Sequence, residues 1–363
     1  MTSTSTQPSR IEALRNALRR NAGAWLSRLN RHEILLARTV RGMQAEAVDR
    51  FDREIVQPLV QSVAGRLATF DQRGAGAAFD LFPQLRELRD EMAQIVERGA
   101  VAVERMTRGD IAALARHEVE WAKDTAGSVL KTTPPAIDAA AVIRQVEVRP
   151  FLGRKVEEWF RQDLEVPTGD NARALVQQGL VRGWTVEEIT RGLRGRRATG
   201  YTDGILTGSS ASTLRTIVRT AATHASATAR EETFRALGVK QWRFVATLDA
   251  KTSIQCASQD GKTYPLGDGP VPPLHPNCRS VAVPDLGEPI GNRASIDGPV
   301  PATTDYETWL EGQGVEQQDE VLGRTRAKAW RAGDIEFADL IGRDLQPLSI
   351  AELRRLDRLP TPE

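Results

Sequence analysis

SASTLRTIVRTAATHASATAREETFRALGVKQWRFVAT, residues Ser210–Thr247, contains the change of period that decides the fold. Thr213, Ile217, Ala221 and Ala225 stand four apart, the spacing of one face of an α-helix, and their small side chains let another element pack closely. The pattern predicts a helix over Ser210–Leu237, ended by Gly238, because glycine adopts the left-handed conformation that closes a helix. Trp242–Thr247 then alternates aromatic and aliphatic groups with polar ones, which reads as a strand.

Downstream, Thr247–Pro284 reads TLDAKTSIQCASQDGKTYPLGDGPVPPLHPNCRSVAVP and contains both cysteines of the chain. Lys262–Tyr264 and Arg279–Val283 read as two more short strands, so a small antiparallel sheet is expected against the long helix. The loops between them bring Cys256, His275 and Cys278 into one segment, stiffened by Pro272-Pro273. Thiolate and imidazole are the ligands zinc prefers, with Asp249, Asp260 or water as the fourth. The spacing is not that of a standard zinc finger, so two other readings stay open. In one the three residues are a packing and hydrogen-bonding staple. In the other Cys256 is a nucleophile activated by His275, or part of a catalytic zinc site, which needs a carboxylate or base beside it.

Upstream the sequence is helical. From Arg10 to Arg41 eight arginines face two glutamates, with Leu14, Leu18, Trp25, Leu29, Leu36 and Val40 at near-helical spacing. An amphipathic helix follows, with Arg15, Arg19, Arg20, Arg28 and Arg31 as candidate contacts to an acidic partner or DNA, weighed against an ordinary solvated arginine face. Helical periodicity continues through 45–70, breaks near 71–76, and resumes across 83–104 and 111–131. Shorter helices are expected over 150–163, 171–182 and 186–193, the last opened by a capping box at Thr185 and Glu188. Gly195–Gly208 reads as a loop, and Asp285–Pro301, rich in glycine and proline, as a linker before short C-terminal helices around Trp309, Leu310, Val321, Leu322, Trp330, Phe337 and Leu340. The expected class is α+β, predominantly α-helical. Its parts are a disordered tail over 1–9, a helical N-terminal domain over 10–135, a helix-plus-sheet domain over 136–290, and a linker with a helical extension over 291–363.

Composition narrows the function classes. The chain has 363 residues, 40% of them hydrophobic and 27% charged, with a net charge of only +1. Such a balance gives no global field for nucleic acid. Two cysteines make no disulfide scaffold, the polar N-terminus resembles no secretory signal, and no apolar run approaches the roughly 18 residues of a membrane span. No GxxxxGK[ST] loop, no GxGxxG after a strand and no HExxH helix is present, so the common phosphate and zinc-protease devices are missing.

The order Trp242…Thr247-Leu248-Asp249…Thr252-Ser253…Cys256…Asp260-Gly261-Lys262…Pro272-Pro273-Leu274-His275-Pro276…Cys278-Arg279-Ser280 resembles the signature of bacteriophage Mu F-like minor head proteins, also called phage head morphogenesis proteins. Arg219-Thr220-Ala221, His224 and Ala229-Arg230-Glu231 are similar to the helix that precedes it, and Tyr306–Leu310 and Gln318–Gly323 to its C-terminal extension. Many relatives carry Arg-Thr-Glu where this chain has Ala221, so no role rests on a carboxylate there. The resemblance marks Arg219, Thr220, His224, Arg230, Asp249, Thr252, Ser253, Asp260, Gly261, Pro273 and Arg279 as motif residues with structural roles. It implies a non-enzymatic virion protein that binds portal and capsid proteins in the head interior, with scaffold and DNA as further partners and no membrane. Such a protein is made in the host cytoplasm and has no catalytic residues, and zinc is its only candidate cofactor. The alternative is a zinc-dependent or cysteine-based enzyme (nuclease, hydrolase or ADP-ribosyltransferase-like module), against which stands the lack of room for a further domain after residue 290.

Overall fold

A computed structural model describes residues 6–69, 82–131, 136–287 and 291–359. In chain order the helices are α1 (Thr6–Arg20), α2 (Ala22–Phe51), α3 (Gln57–Ala68), α4 (Pro83–Leu130), α5 (Ala139–Val148), α6 (Val156–Trp159), α7 (Val166–Val181), α8 (Val186–Arg194), α9 (Ala211–Ala236), α10 (Ile254–Ala257), α11 (Tyr306–Glu311), α12 (Val315–Leu322), α13 (Arg324–Ala332) and α14 (Ile350–Arg355). The strands are β1 (Gln241–Val245), β2 (Thr263–Pro265), β3 (Val281–Pro284), β4 (Asn292–Ser295) and β5 (Gly298–Pro301). The chain is thus mostly helical with small antiparallel sheets, the α+β class its sequence predicts.

Two compact units form, each from separated stretches: residues 1–36, 115–143 and 223–363 in one, 37–114 and 144–222 in the other. Helices α2, α4, α5 and α9 each supply residues to both.

In the first unit the sheet has the order β2-β1-β3, all antiparallel, with Trp242 opposite Tyr264 on one side and Pro284 on the other. Alternation along β1 buries Trp242 and Phe244 and leaves Gln241 exposed, the period of two expected of a sheet covered on one face. Phe234 and Leu237 of the α9 end, Leu14 and Leu18 of α1 and Trp25 of α2 complete that core, which also encloses Cys256 and Cys278. Full burial of each such large apolar side chain contributes about 1.5–3 kcal/mol. A second cluster gathers Leu248, Tyr306, Trp309, Leu310, Leu322, Phe337 and Leu340, so the C-terminal helices pack through the residues their spacing singled out.

In the second unit α3 and α7 pack on α8. A Cβ on Gly179 would lie 2.5 Å from Ile189, so only glycine allows this approach. Thr185 and Glu188 close the expected capping box on α8, with Thr185 N–H donating to Glu188 at 2.8 Å. The stretch 195–208 is not an open loop. Gly195, at φ +88°, presses against the backbone of Gly204, and Asp203 accepts from both the backbone N–H and the guanidinium of Arg196, at 2.8 and 2.6 Å. Its last residues form a π-helical turn, Ile205–Ser210, that runs straight into α9.

Four further expectations are corrected. Helix α4 runs unbroken through 105–110, where the sequence pattern lapses; one interior glycine, Gly109, costs about 1 kcal/mol, less than two caps and a loop would. Residues 151–154 form a tight turn, and helix begins only at Val156. It then passes through the π-helical turn Phe160–Glu165 into α7, with Pro167 at the start, where its missing N–H matters least. Residues 292–301 are not a linker but a hairpin, Ser295 pairing with Gly298 around Ile296-Asp297. Of the tail expected over 1–9, Thr6 onward is helical and residues 1–5 lie outside the described residues, as do the break at 71–76 and the boundary at 132–135.

Candidate metal centre

Each of the three cysteine and histidine side chains is placed by a local turn. Ser253 caps the single-turn helix α10, its Oγ accepting from the Cys256 N–H at 3.2 Å, so Cys256 leaves the first turn facing the sheet. Gly261, at φ +79°, returns the chain to β1 through its N–H to the Phe244 carbonyl at 2.9 Å. On the other side His275-Pro276-Asn277-Cys278 is a tight turn in which Cys278 N–H donates to the His275 carbonyl at 3.2 Å. Pro276 suits the first central position, and Asn277, at φ +62°, takes the left-handed one that asparagine tolerates. Such a turn brings its first and last side chains together. Thr223 of α9 ties it down by donating to the Cys278 carbonyl at 2.9 Å.

The result is a cluster. Cys256 Sγ lies 3.1 Å from His275 Nε2 and 3.6 Å from Cys278 Sγ, and the three donor atoms all fall within 4.8 Å of one another. Both cysteines are free thiols and buried, while His275 is half-buried and Pro276 and Asn277 are exposed. His275 Nδ1 donates to the Pro276 carbonyl at 2.8 Å, which leaves Nε2 facing the sulfurs, a donor to thiolate without metal and a lone pair for an ion. The hydrogen bond from Cys256, assisted by His275, holds the Cys278 thiol down to about 4 against the cost of burial. Cys256, as donor in that bond and buried, is pushed up. Burial alone would lower His275, but the Cys278 charge and hydrogen bond outweigh it and raise it.

This donor set fits zinc. A tetrahedral ion at about 2.3 Å from sulfur and about 2.0 Å from nitrogen needs sulfurs about 3.8 Å apart and sulfur about 3.6 Å from nitrogen. The two separations from Cys256, 3.6 Å to sulfur and 3.1 Å to nitrogen, are shorter than these values, and all three donor atoms lie within 4.8 Å of one another, so small side-chain adjustments would admit an ion. The same burial does not suit a cysteine nucleophile, since Cys256 is 1% and Cys278 0% exposed and an external substrate must reach the sulfur.

The two candidate fourth ligands go elsewhere. Asp249 grips Arg279 through both oxygens, at 2.6 and 2.7 Å, and accepts from Lys251 N–H at 3.0 Å. Burial would raise its carboxyl, yet the Arg279 hydrogen bonds hold it below the ordinary range. Asp260 accepts from Ala246 N–H at 2.7 Å and from Arg293 at 2.8 and 3.0 Å. Among the described residues no other acidic, histidine or cysteine side chain joins the cluster of three.

The other motif residues act on the framework. Thr252 bonds the Thr247 carbonyl at 2.5 Å and packs beside Asp249, and Pro273 is buried under the loop. On α9 Thr220 is buried and donates to the Thr216 carbonyl at 2.7 Å; Arg219 reaches Gln44 at 3.4 Å; His224 is buried. Arg230, 4% exposed, pairs with Glu33 and lies 3.3 Å from Glu118, whose other oxygen is 2.5 Å from His32 Nε2. Arg19, Arg20, Arg28 and Arg31 are exposed on α1 and α2 while Leu14, Leu18, Trp25 and Leu29 are buried; the Arg15 side chain lies outside the described residues.

Sequence reasoning missed Arg293, the bond from Tyr306 to Asp249 and the partners of Arg230. Arg293 joins the hairpin to Asp260, and Tyr306 donates to the Asp249 carbonyl at 2.9 Å, tying the C-terminal helices to the same loop. Asp297 followed by Gly298 was the available signal for the hairpin, both being turn-favouring residues, with Asp297 in the turn and Gly298 just after it. No helix among the described residues is long and apolar enough to cross a membrane.

In comparisons with known proteins, residues 170–283 match the family described as phage Mu protein F like protein. That segment spans α7 to β3 and includes all three cluster residues. No curated protein and no solved structure matches the chain.

Proposed function

We propose, for a chain that belongs through residues 170–283 to the phage Mu protein F like family, that it is a minor structural component of the phage head. The family is one of head morphogenesis proteins, and the family match is the observation that carries the reading. In this account the protein docks on the portal and the inner face of the capsid during assembly in the host cytoplasm, stays in the head interior, and meets scaffold and DNA as further partners. The N-terminal helices supply the docking surface, and residues 291–363 are an extension. The chain acts by binding geometry, without catalytic residues. Cys256, His275 and Cys278 hold a structural zinc that joins α10 to the His275–Cys278 turn, which a sheet of three short strands has little core to do by itself.

The docking surface is the arginine face of α1 and α2. Its opposite face, with Leu18 and Trp25, belongs to the core, so deleting the segment would unfold the first unit rather than test the contact. Replacing Arg19, Arg20, Arg28 and Arg31 together by glutamine keeps the helix formers and removes four charges. We expect an unchanged melting temperature and at least a tenfold loss of co-purification with portal protein. Portal capture equal to that of the unaltered chain moves docking to another surface, the 306–340 extension first. A DNA-binding role would appear as a salt dependence of binding whose slope falls by about 1 for each phosphate that the substituted chain no longer engages.

A further inference from the structure

We infer that the Cys256–His275–Cys278 centre, once metallated, keeps an exchangeable fourth position filled from outside the chain, by water at rest and by a small anionic donor, thiolate above all, when one is present. The inference rests on the zinc reading of the same cluster.

The constraint is one of supply. Zinc is four-coordinate, and a structural site normally draws all four ligands from the protein. Here three donor atoms converge, and the nearby carboxylates that could close the shell are held by guanidinium groups, Asp249 by two bonds to Arg279 and Asp260 by two to Arg293. Swinging either one onto the metal would leave a part-buried arginine without its partner: Arg293 has 11% and Arg279 30% of its side chain exposed. Breaking such a pair costs about 3–5 kcal/mol when the charge is buried. Nearby hydroxyl groups are already used: Ser253 caps α10, Ser280 bonds the Cys256 sulfur, and Thr252 and Thr223 donate to backbone carbonyls at 2.5 and 2.9 Å.

Access is one-sided. Cys256 and Cys278 lie within the apolar core around Trp242 and Phe244, whereas His275 is half-buried beside the exposed Pro276 and Asn277. An outside ligand therefore approaches along the imidazole edge. Two thiolates neutralise the charge of the divalent ion, so an added anion meets no excess negative charge, and a soft thiolate matches the sulfur already bound.

Cobalt(II) reports the coordination shell by its visible bands. The full chain would be loaded with cobalt and titrated with azide and, separately, with 2-mercaptoethanol, while filtration measures the cobalt retained. The inference predicts intense thiolate bands, absent from Cys256→Ser and Cys278→Ser, that shift saturably with either ligand while the metal stays bound. Bands that do not move mean that the chain supplies the fourth ligand, which overturns the inference and leaves the zinc reading intact. Loss of the cobalt into the filtrate on adding ligand also overturns it. Failure to bind cobalt or zinc at all overturns both.

Discussion

Removing the metal, by chelation or by Cys278→Ser, is expected to lower the melting temperature of the first unit by about 10 °C. Only the folded chain assembles the two sulfurs and the imidazole, so binding free energy is folding free energy. At free zinc about 1,000-fold above Kd the stabilisation is about 4 kcal/mol, and a unit of this size shifts by about 2–4 °C per kcal/mol. The serine substitution keeps the volume and loses the thiolate, so zinc content should fall while the Trp242–Phe244 core, of which Cys278 is part, stays packed. Purified protein should carry close to one zinc per chain. Melting that ignores both chelator and substitution would return the three residues to the role of a hydrogen-bonded staple.

The second large effect concerns Arg230. It is the guanidinium facing the carboxylates of both Glu33 and Glu118, and Glu118 is 2% exposed against His32. Arg230→Ala leaves two carboxylates without that cation and removes a buried stem, so a loss of about 3–5 kcal/mol is expected in denaturant unfolding. Pairing the change with an apolar partner, Arg230→Met with Glu118→Leu, should recover part of it, because well-packed apolar groups often replace a buried ion pair at little cost. The pH dependence has a definite sign. Burial acts to raise the Glu118 carboxyl, but the His32 hydrogen bond and the Arg230 charge outweigh it and hold the group below its ordinary value. Its contribution is therefore complete above the ordinary carboxylate range and is lost as pH falls through the depressed value. Without Arg230 the folded value rises toward the ordinary one, so the part of the stability that is lost on acidification should shrink. An Arg230→Ala protein as stable as the unaltered chain, with the same acid limb, would contradict the role given to the network.

What the sequence made legible follows from range. The long α9 helix, its stop at Gly238, the strand at Trp242 and the capping box at Thr185 all rest on signals within a few residues. The Cys/His cluster was legible for a related reason: its members stand 19 and 22 positions apart with turn chemistry between them. The buried charges were not. Arg230 meets Glu33 across 197 positions and Glu118 across 112, and Arg293 meets Asp260 across 33, with no local pattern to mark either pair. For the same reason Asp249 and Asp260 looked free to bind a metal, since the arginines that occupy them could not be seen. The hairpin at 292–301 was hidden by its prolines, which suit edge strands and read as linker.

Membership of the phage head is tested most directly by quantitative mass spectrometry of heads purified from cells that produce this chain. The intact polypeptide should be found inside proheads and mature heads, at a few copies for each portal, protected from external protease and depleted when Arg19, Arg20, Arg28 and Arg31 are replaced. Heads that assemble and package normally with none of this chain inside them would contradict it.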